Sequence, residues 1–457
     1  MSTPEAMTRA PAVGPLPHLT PPTPIRFQLS NGLEVLAVRR DVAPLVAVNV
    51  MLRVGSDLDT PERLGLGSAT AEMLDEGAGQ RDPLQMAEDL EQLGADLWIG
   101  CGRDGSQLSL QSPLASFERG LAIAADVLLR PRLDAKDWER VRHDRLTGLA
   151  QRRDQPESVA SLASDRALFG DAHPYGRPTD GFESTVARIG IDDIARFHAT
   201  HYHPGNAVLV VAGAFDEAAL PRQLEAALGT WKAKPASTPA PATPLPARAR
   251  LVLVDRPAAP QSIIRLVGPG LDRRSPDRPA LSMLNAILGG SFTSRLNFNL
   301  REQKGYTYGA GSSFSFLRRP GAFAARAAVF TEVTAASVTE FLKELTAIRE
   351  QPITDAERTK ARALLLDRVA EGLATSSGLA STFAELGLYG LPADEPARFI
   401  AALEAVTSAD LQRLARAHID PETMSIVIVG DRAKIEPGLR ELGLPAPEMR
   451  DTDGAVI

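Results

Sequence analysis

The chain repeats itself, and that repeat restricts its fold more than any other feature. Residues 193–214, DIARFHATHYHPGNAVLVVAGA, align without a gap to residues 410–431, DLQRLARAHIDPETMSIVIVGD. Asp193 matches Asp410, Arg196 matches Arg413, His201 matches His418, Pro204 matches Pro421 and Gly213 matches Gly430, all at an offset of 217. Near the start of each copy LRVGSDLD (52–59) matches RLVGPGLD (265–272) at an offset of 213. Two such offsets, most of a domain apart, mean duplication. The longer matched segment runs from a short helix into an apolar, β-branched strand, so each copy mixes helix and sheet. The expected fold is α+β, two tandem homologous domains, each a mostly antiparallel sheet with helices packed on one face.

The rest of the chain sets the boundaries. Residues 1–24 form a Pro-rich N-terminal arm, because proline denies both helix and ladder hydrogen bonds. The first domain is expected over 25–234. It opens on IRFQLSNGLEVLAV, where Asn31-Gly32 is a hairpin signal, and continues into the apolar strand of APLVAVNVMLRVGS. Helical periodicity follows over 64–74, 83–93, 117–129, 138–153, 158–167 and 192–200, with a strand hairpin near 95–113. The Pro/Ala-rich run 235–249, PASTPAPATPLPARA, cannot build a core and reads as a linker. A second domain over 250–450 opens on strands 251–255 and 262–268. The helix 275–288 follows, with Ser275 as its cap and Pro276 at its first helical position. Residues 451–457 are a tail.

Charge and cysteine content remove several classes of function. A net charge of −7 and a pI near 5.7 argue against nucleic-acid binding, which calls for a basic excess. No apolar run reaches membrane-spanning length. The single cysteine, Cys101, cannot form an internal disulfide and reads as a small buried hydrophobe. The N-terminus carries no secretory h-region. A cytoplasmic protein with a loose arm and a mature periplasmic protein both fit, and the periplasmic placement is favoured.

Two stretches carry candidate chemistry. In residues 289–316, GGSFTSRLNFNLREQKGYTYGAGSSFSF, Ser291 or Thr293 can cap a short helix. Leu296 and Leu300 share a face of it, and Gly305 suits the left-handed position past its end. Arg301 then falls in the last helical turn, and Tyr306 and Tyr308 on one face of the following strand. An arginine and a tyrosine meeting across such a junction can both hydrogen-bond a peptide carbonyl. The second stretch, HATHYH, offers His198, His201 and His203 at a ligand-like spacing. The repeat acts as an internal control: the matching residues are Ala415, His418 and Asp420, so the histidine kept in both copies is structural, capping the helix end. No G-x-S-x-G elbow and no phosphate-binding loop occur.

The 289–316 stretch resembles the Arg/Tyr motif in the second domain of the pitrilysin/insulinase family of metallopeptidases, whose usual form is close to SSRL…LREK.G..Y. The matching residues are Ser294-Arg295-Leu296, Leu300-Arg301-Glu302, Gly305 and Tyr308. The loop HPYGRPTDG (173–181), the passage HYHPGNAVLVVAG (201–213) and the duplicated layout extend the resemblance over almost the whole chain. Active members carry H-x-x-E-H on the first long helix of domain one, two histidines holding zinc and a glutamate activating water. Here that helix is GLGSATAEMLDEGAG, and the three positions are Ser68, Ala71 and Glu72. The later glutamate ligand also lacks a counterpart, since the matching segment reads RLTGLAQRR.

The resemblance therefore implies no metal in this chain and zinc in a partner, a homologous H-x-x-E-H subunit. Arg301 would bind a substrate carbonyl and Tyr308 would donate to the developing oxyanion in that partner's active site, with a peptide as substrate. Tyr306 would pack or support the loop. The chain alone is expected to be inactive. The alternative is a catalytically inactive assembly subunit resembling the core proteins of respiratory complexes. The retained Arg301 and Tyr308 speak against that.

Overall fold

The computed structural model describes residues 19–236, 245 and 250–457. Most of the arm 1–24 and of the linker 235–249 lies outside the described residues. What is described forms two lobes, each built on a six-stranded sheet. The first contains β1 (Ile25–Gln28), β2 (Glu34–Arg39), β3 (Leu45–Leu52), β4 (Asp96–Cys101), β5 (Ser106–Pro113) and β6 (Ala207–Gly213), in the order β1-β2-β6-β3-β5-β4. Only the β2/β6 pair is parallel. The second contains β7 (Leu251–Asp255), β8 (Gln261–Pro269), β9 (Thr307–Phe314), β10 (Ala322–Phe330), β11 (Ser425–Gly430) and β12 (Glu448–Arg450), in the order β12-β7-β11-β8-β10-β9. There β12/β7 and β7/β11 are parallel and the rest antiparallel.

Position by position, β2, β6, β3, β5 and β4 correspond to β7, β11, β8, β10 and β9. The fold is the α+β tandem that the repeat predicts. The matched helices Ile191–His201 and Ser408–His418 each end on the matched histidine.

Strands buried on both faces explain the apolar runs. Every residue of β6 and of β11 is buried. One face of the first sheet, with Val46, Val48, Leu209 and Val211, packs on helices of its own lobe through Leu90, Leu121 and Leu224. The opposite face, with Met51, Val208, Val210 and Ala212, is covered by the helix Ser376–Tyr389 of the second lobe through Leu379, Phe383 and Leu386. The exchange is reciprocal. Helix Pro156–Phe169 of the first lobe lays Val159, Ala163 and Phe169 over Ile263, Val267, Val427 and Val429 of the second sheet. A Cβ on Gly387 would sit 2.1 Å from Val208 Cγ1, so only glycine lets that helix approach so closely. Burying a side chain such as Phe383, 0% exposed, contributes roughly 2–3 kcal/mol. Residues 451–457 fasten the same seam: Asp453 pairs with Arg153 at 2.8 Å, and its carbonyl accepts from Arg166 Nη1 at 2.7 Å.

One helix start differs from expectation. The helix after β8 begins at Arg278, with Asp277 at its cap position, and not at Pro276. Arg273 N donates to Leu317 O at 2.8 Å and pins the preceding segment to the β9–β10 connection. The chain then turns through Ser275, whose carbonyl accepts from Arg278 N at 3.2 Å, before it can become helical.

Candidate active site

The Arg/Tyr stretch is a turn, a short irregular helix and an edge strand. Neither Ser291 nor Thr293 caps the helix. It begins at Arg295 behind Ser294, which makes no side-chain capping bond, and Ser291 Oγ donates instead to Ala286 O at 3.0 Å. After one α-turn, Arg295–Asn297, the backbone widens into a π-helical segment over Phe298–Gln303. There Lys304 N donates to Asn299 O at 3.0 Å and Tyr306 N to Leu300 O at 2.9 Å. Arg301 thus belongs to a π-segment, a device common at functional sites, and not to the last turn of an α-helix. Leu296 and Leu300 are fully buried, as their spacing predicts, and Gly305 takes φ +66°. The Arg301 side chain is 35% exposed, and its guanidinium lies 4.5 Å from the centre of the Phe292 ring.

Tyr308 owes its position to a bulge. Thr307 pairs with Val329 and Ala310 with Ala327, so Tyr308 and Gly309 together oppose Ala328. Thr307 Oγ1 bonds Ala328 O at 2.6 Å and accepts from Gly309 N at 3.1 Å, which holds the bulge. Tyr308 is left 82% exposed on the outermost strand of its sheet. Tyr306 lies ahead of the strand and is half-buried, so the two tyrosines are not the alternating pair that simple periodicity predicts. Asn297 links the parts: its Nδ2 donates to Phe292 O at 2.6 Å and its Oδ1 accepts from Ala310 N at 3.0 Å. Sequence reasoning passed over both Phe292 and Asn297. Asn297 shares its turn with Arg295 and Asn299, so nothing in the local pattern singles it out.

The positions of the missing metal motif are also instructive. Helix Leu66–Met73 opens at Gly65, φ +93°, and is capped by the buried Asp59, whose two oxygens accept from Gly65 N and Gly67 N at 2.8 Å each. Burial pushes the Asp59 carboxyl up to about 7 despite those bonds. Ser68 and Ala71 are buried, and the Glu72 side chain is 45% exposed. Between Ser68 and Glu72 lies the guanidinium of Arg145, from helix Ala135–Arg152, donating to Ser68 Oγ at 2.7 Å and Glu72 Oε2 at 2.6 Å. Its side chain is only 10% exposed. A fixed cation therefore sits where the resemblance would put a divalent ion, and these residues do not fit zinc. Arg145 is the first residue of the RLTGLAQRR segment, which the sequence showed only as lacking a ligand. Among the described residues no group of three or more His, Cys, Asp or Glu is placed to hold a metal.

The three histidines of HATHYH separate. His198 Nε2 meets Leu128 O at 3.0 Å, His201 packs on Phe197 with ring centres 4.6 Å apart, and His203 bonds Asn206 at 3.1 Å. Burial holds all three below the ordinary histidine value. His201 does not cap its helix by a side-chain bond; Tyr202 N, donating to His198 O, closes the end, and the imidazole serves as packing. Cys101 is half-buried and not wholly enclosed, with desolvation pushing its thiol up to about 12.

The peptidase M16 inactive domain matches residues 188–365. An uncharacterized zinc protease of Streptomyces coelicolor is 26% identical over 406 residues, covering 86% of this chain and 86% of that protein. Another, from Mycobacterium tuberculosis, is 28% identical over 360 residues, covering 78% and 81%. A peptidase M16 inactive domain from Pseudomonas fluorescens superposes with a TM-score of 0.83 at 26% identity, over 89% of this chain and 97% of that one. The chain is similar to peptidase M16 proteins, the pitrilysin-like metallopeptidases, over most of its length. Two further structures share the pitrilysin-like fold at lower identity. A protease from Helicobacter pylori gives a TM-score of 0.83 at 19% identity, over 90% of this chain and 100% of that one. A chain of Complex III2 from Candida albicans gives 0.73 at 17%, over 92% and 99%. The matches support a peptidase-like chain, similar in part to a domain described as inactive.

Proposed function

We propose that this chain is the zinc-less subunit of a two-subunit peptidase and completes its partner's active site. The partner is a homologous H-x-x-E-H subunit that supplies the metal and the water-activating carboxylate. This chain supplies Arg301 to hold a peptide carbonyl and Tyr308, whose hydroxyl donates a hydrogen bond to the oxyanion as it forms. One observation carries the reading: Tyr308 is 82% exposed on a bulged edge strand that packs against the π-segment bearing Arg301. So exposed a tyrosine leaves its hydroxyl open to a group outside the chain. Arg145 in place of a metal fits the same division of labour, since its guanidinium fills the space between Ser68 and Glu72 that an ion would need.

Reconstitution tests it. The purified chain is mixed with an H-x-x-E-H sister subunit and assayed on an unstructured peptide. Activity appears only in the mixture and drops with Arg301→Ala or Tyr308→Phe. If both variants match the unaltered mixture, the chain is an assembly subunit and the shared-site reading is wrong.

A further inference from the structure

The seam between the lobes holds a cavity of about 480 Å³ that neither the Arg/Tyr stretch nor the replaced metal site uses. Four arginines line it: Arg53 from the end of β3, and Arg273, Arg274 and Arg318 from the second lobe. Two of them are matched by acids. Arg318 pairs with Asp57 at 2.9 Å, and Arg273 Nε pairs with Glu385 at 2.8 Å. The other two are not. Arg53 donates through Nε and Nη2 to Gly387 O at 3.1 and 3.0 Å, and Arg274 Nε donates to Tyr389 O at 2.9 Å. Neither guanidinium has a carboxylate within ion-pair distance among the described residues. The one acid on the wall, Asp272, accepts from Arg274 N at 2.9 Å.

A purely structural reading has Arg53 and Arg274 capping the C-terminal end of helix Ser376–Tyr389. That helix end offers about half a negative charge, against two full positive ones. Two further observations point to a missing anion. The Arg273 side chain is only 6% exposed, and its Nη1 has no hydrogen-bond acceptor although Glu395, on the neighbouring pocket, lies 3.7 Å away, so the two acids around Arg273 leave its charge incompletely bonded. Arg53 is held below the usual arginine value by desolvation, which outweighs the opposing pull of Glu34, with the positive charges of Arg318 and Arg274 adding to the lowering.

We propose that this cavity binds a small multivalent oxyanion, a phosphate- or carboxylate-bearing molecule, which neutralises Arg53 and Arg274 and ties one lobe to the other. Leu58, Leu388 and the Tyr389 ring line the rest, so the ligand carries some apolar surface or leaves room for ordered water. The site lies on the seam within one chain, so its fate and that of the shared peptidase site are decided separately.

The test is thermal unfolding and titration calorimetry on the full chain with pyrophosphate, inorganic phosphate and citrate, sodium chloride holding ionic strength constant. The expected result is a saturable rise in Tm with pyrophosphate or citrate, and the stronger of the two assigns the ligand to phosphate or carboxylate chemistry. Arg274 is exposed and gives up one hydrogen bond, to Tyr389 O, so Arg274→Gln lowers the ligand-free Tm by no more than a few degrees while it weakens binding about tenfold. Arg145→Gln, at the other basic cleft, leaves binding unchanged. Absence of saturable binding overturns the proposal. So does binding that survives both Arg274→Gln and Arg53→Gln, or binding that Arg145→Gln removes.

Discussion

If Arg145 has taken the ion's place, restoring histidines alone cannot restore the metal. Ser68 and Glu72 are one helical turn apart on one face, and the Arg145 guanidinium is within 2.7 Å of both side chains. An ion held by Ser68→His and Glu72→His would therefore come within about 4 Å of that guanidinium. Charges of +2 and +1 at about 4 Å repel by about 8 kcal/mol in an effective dielectric of about 20. The arginine can relieve part of this by turning into the cleft of about 350 Å³ that it shares with Arg152 and Asp180. If half the repulsion remains, about 4 kcal/mol separates the two-histidine variant from the same variant carrying Arg145→Gln, close to a thousandfold in zinc affinity. Zinc titration against a chromogenic chelator measures both. Equal affinities for the two variants would show that the guanidinium does not guard the site.

Four further outcomes are expected. Tyr308→Phe removes one exposed oxygen with no intramolecular bond, so Tm stays within about 1 °C while kcat of the reconstituted peptidase falls about a hundredfold; a shift in Tm would mean a packing role. Phe292→Ala removes a cation–π contact worth about 1 kcal/mol and raises KM about fivefold, with Phe292→Tyr restoring it; an unchanged KM would detach Phe292 from Arg301. Burial holds His201 below its unfolded value, so the unfolded chain takes up more protons as pH drops through about 6.5 and stability falls on acidification, by at most about 1.4 kcal/mol per pH unit for this group. His201→Leu should flatten that decline in urea melts from pH 7 to 5, and an identical slope would refute it. Phe383→Ala should cost about 3–5 kcal/mol and make the seam susceptible to limited proteolysis, which native gels can follow.

Much of this architecture is legible in the residues. The repeat shows as matched helix-to-strand corners, Gly305 marks a helix end and Asn31-Gly32 a hairpin, because each depends on a few neighbours along the chain. Arg301 and Tyr308 stand out through the resemblance of their stretch to the Arg/Tyr motif. The π-segment and the bulge that place them do not, since Phe298–Gln303 reads equally well as α-helix and only contact with β9 and β10 decides otherwise. Arg145 was hidden for a similar reason. It lies 77 residues from Ser68, and nothing local announces the meeting. Ser275-Pro276 has the composition of a helix start, but a backbone bond from Arg273 to Leu317 delays the helix by two residues.

The traded helices bear on how such a chain came to exist. An unduplicated ancestor, folded alone, would have left one broad side of its sheet wet, with nothing of its own to lay across it. It had to work as a symmetric couple, each member lending a helix to the other. Fusing the two genes changed the covalent chain more than the object it makes. Cutting the run between 235 and 249 with a protease should accordingly give two fragments that elute together.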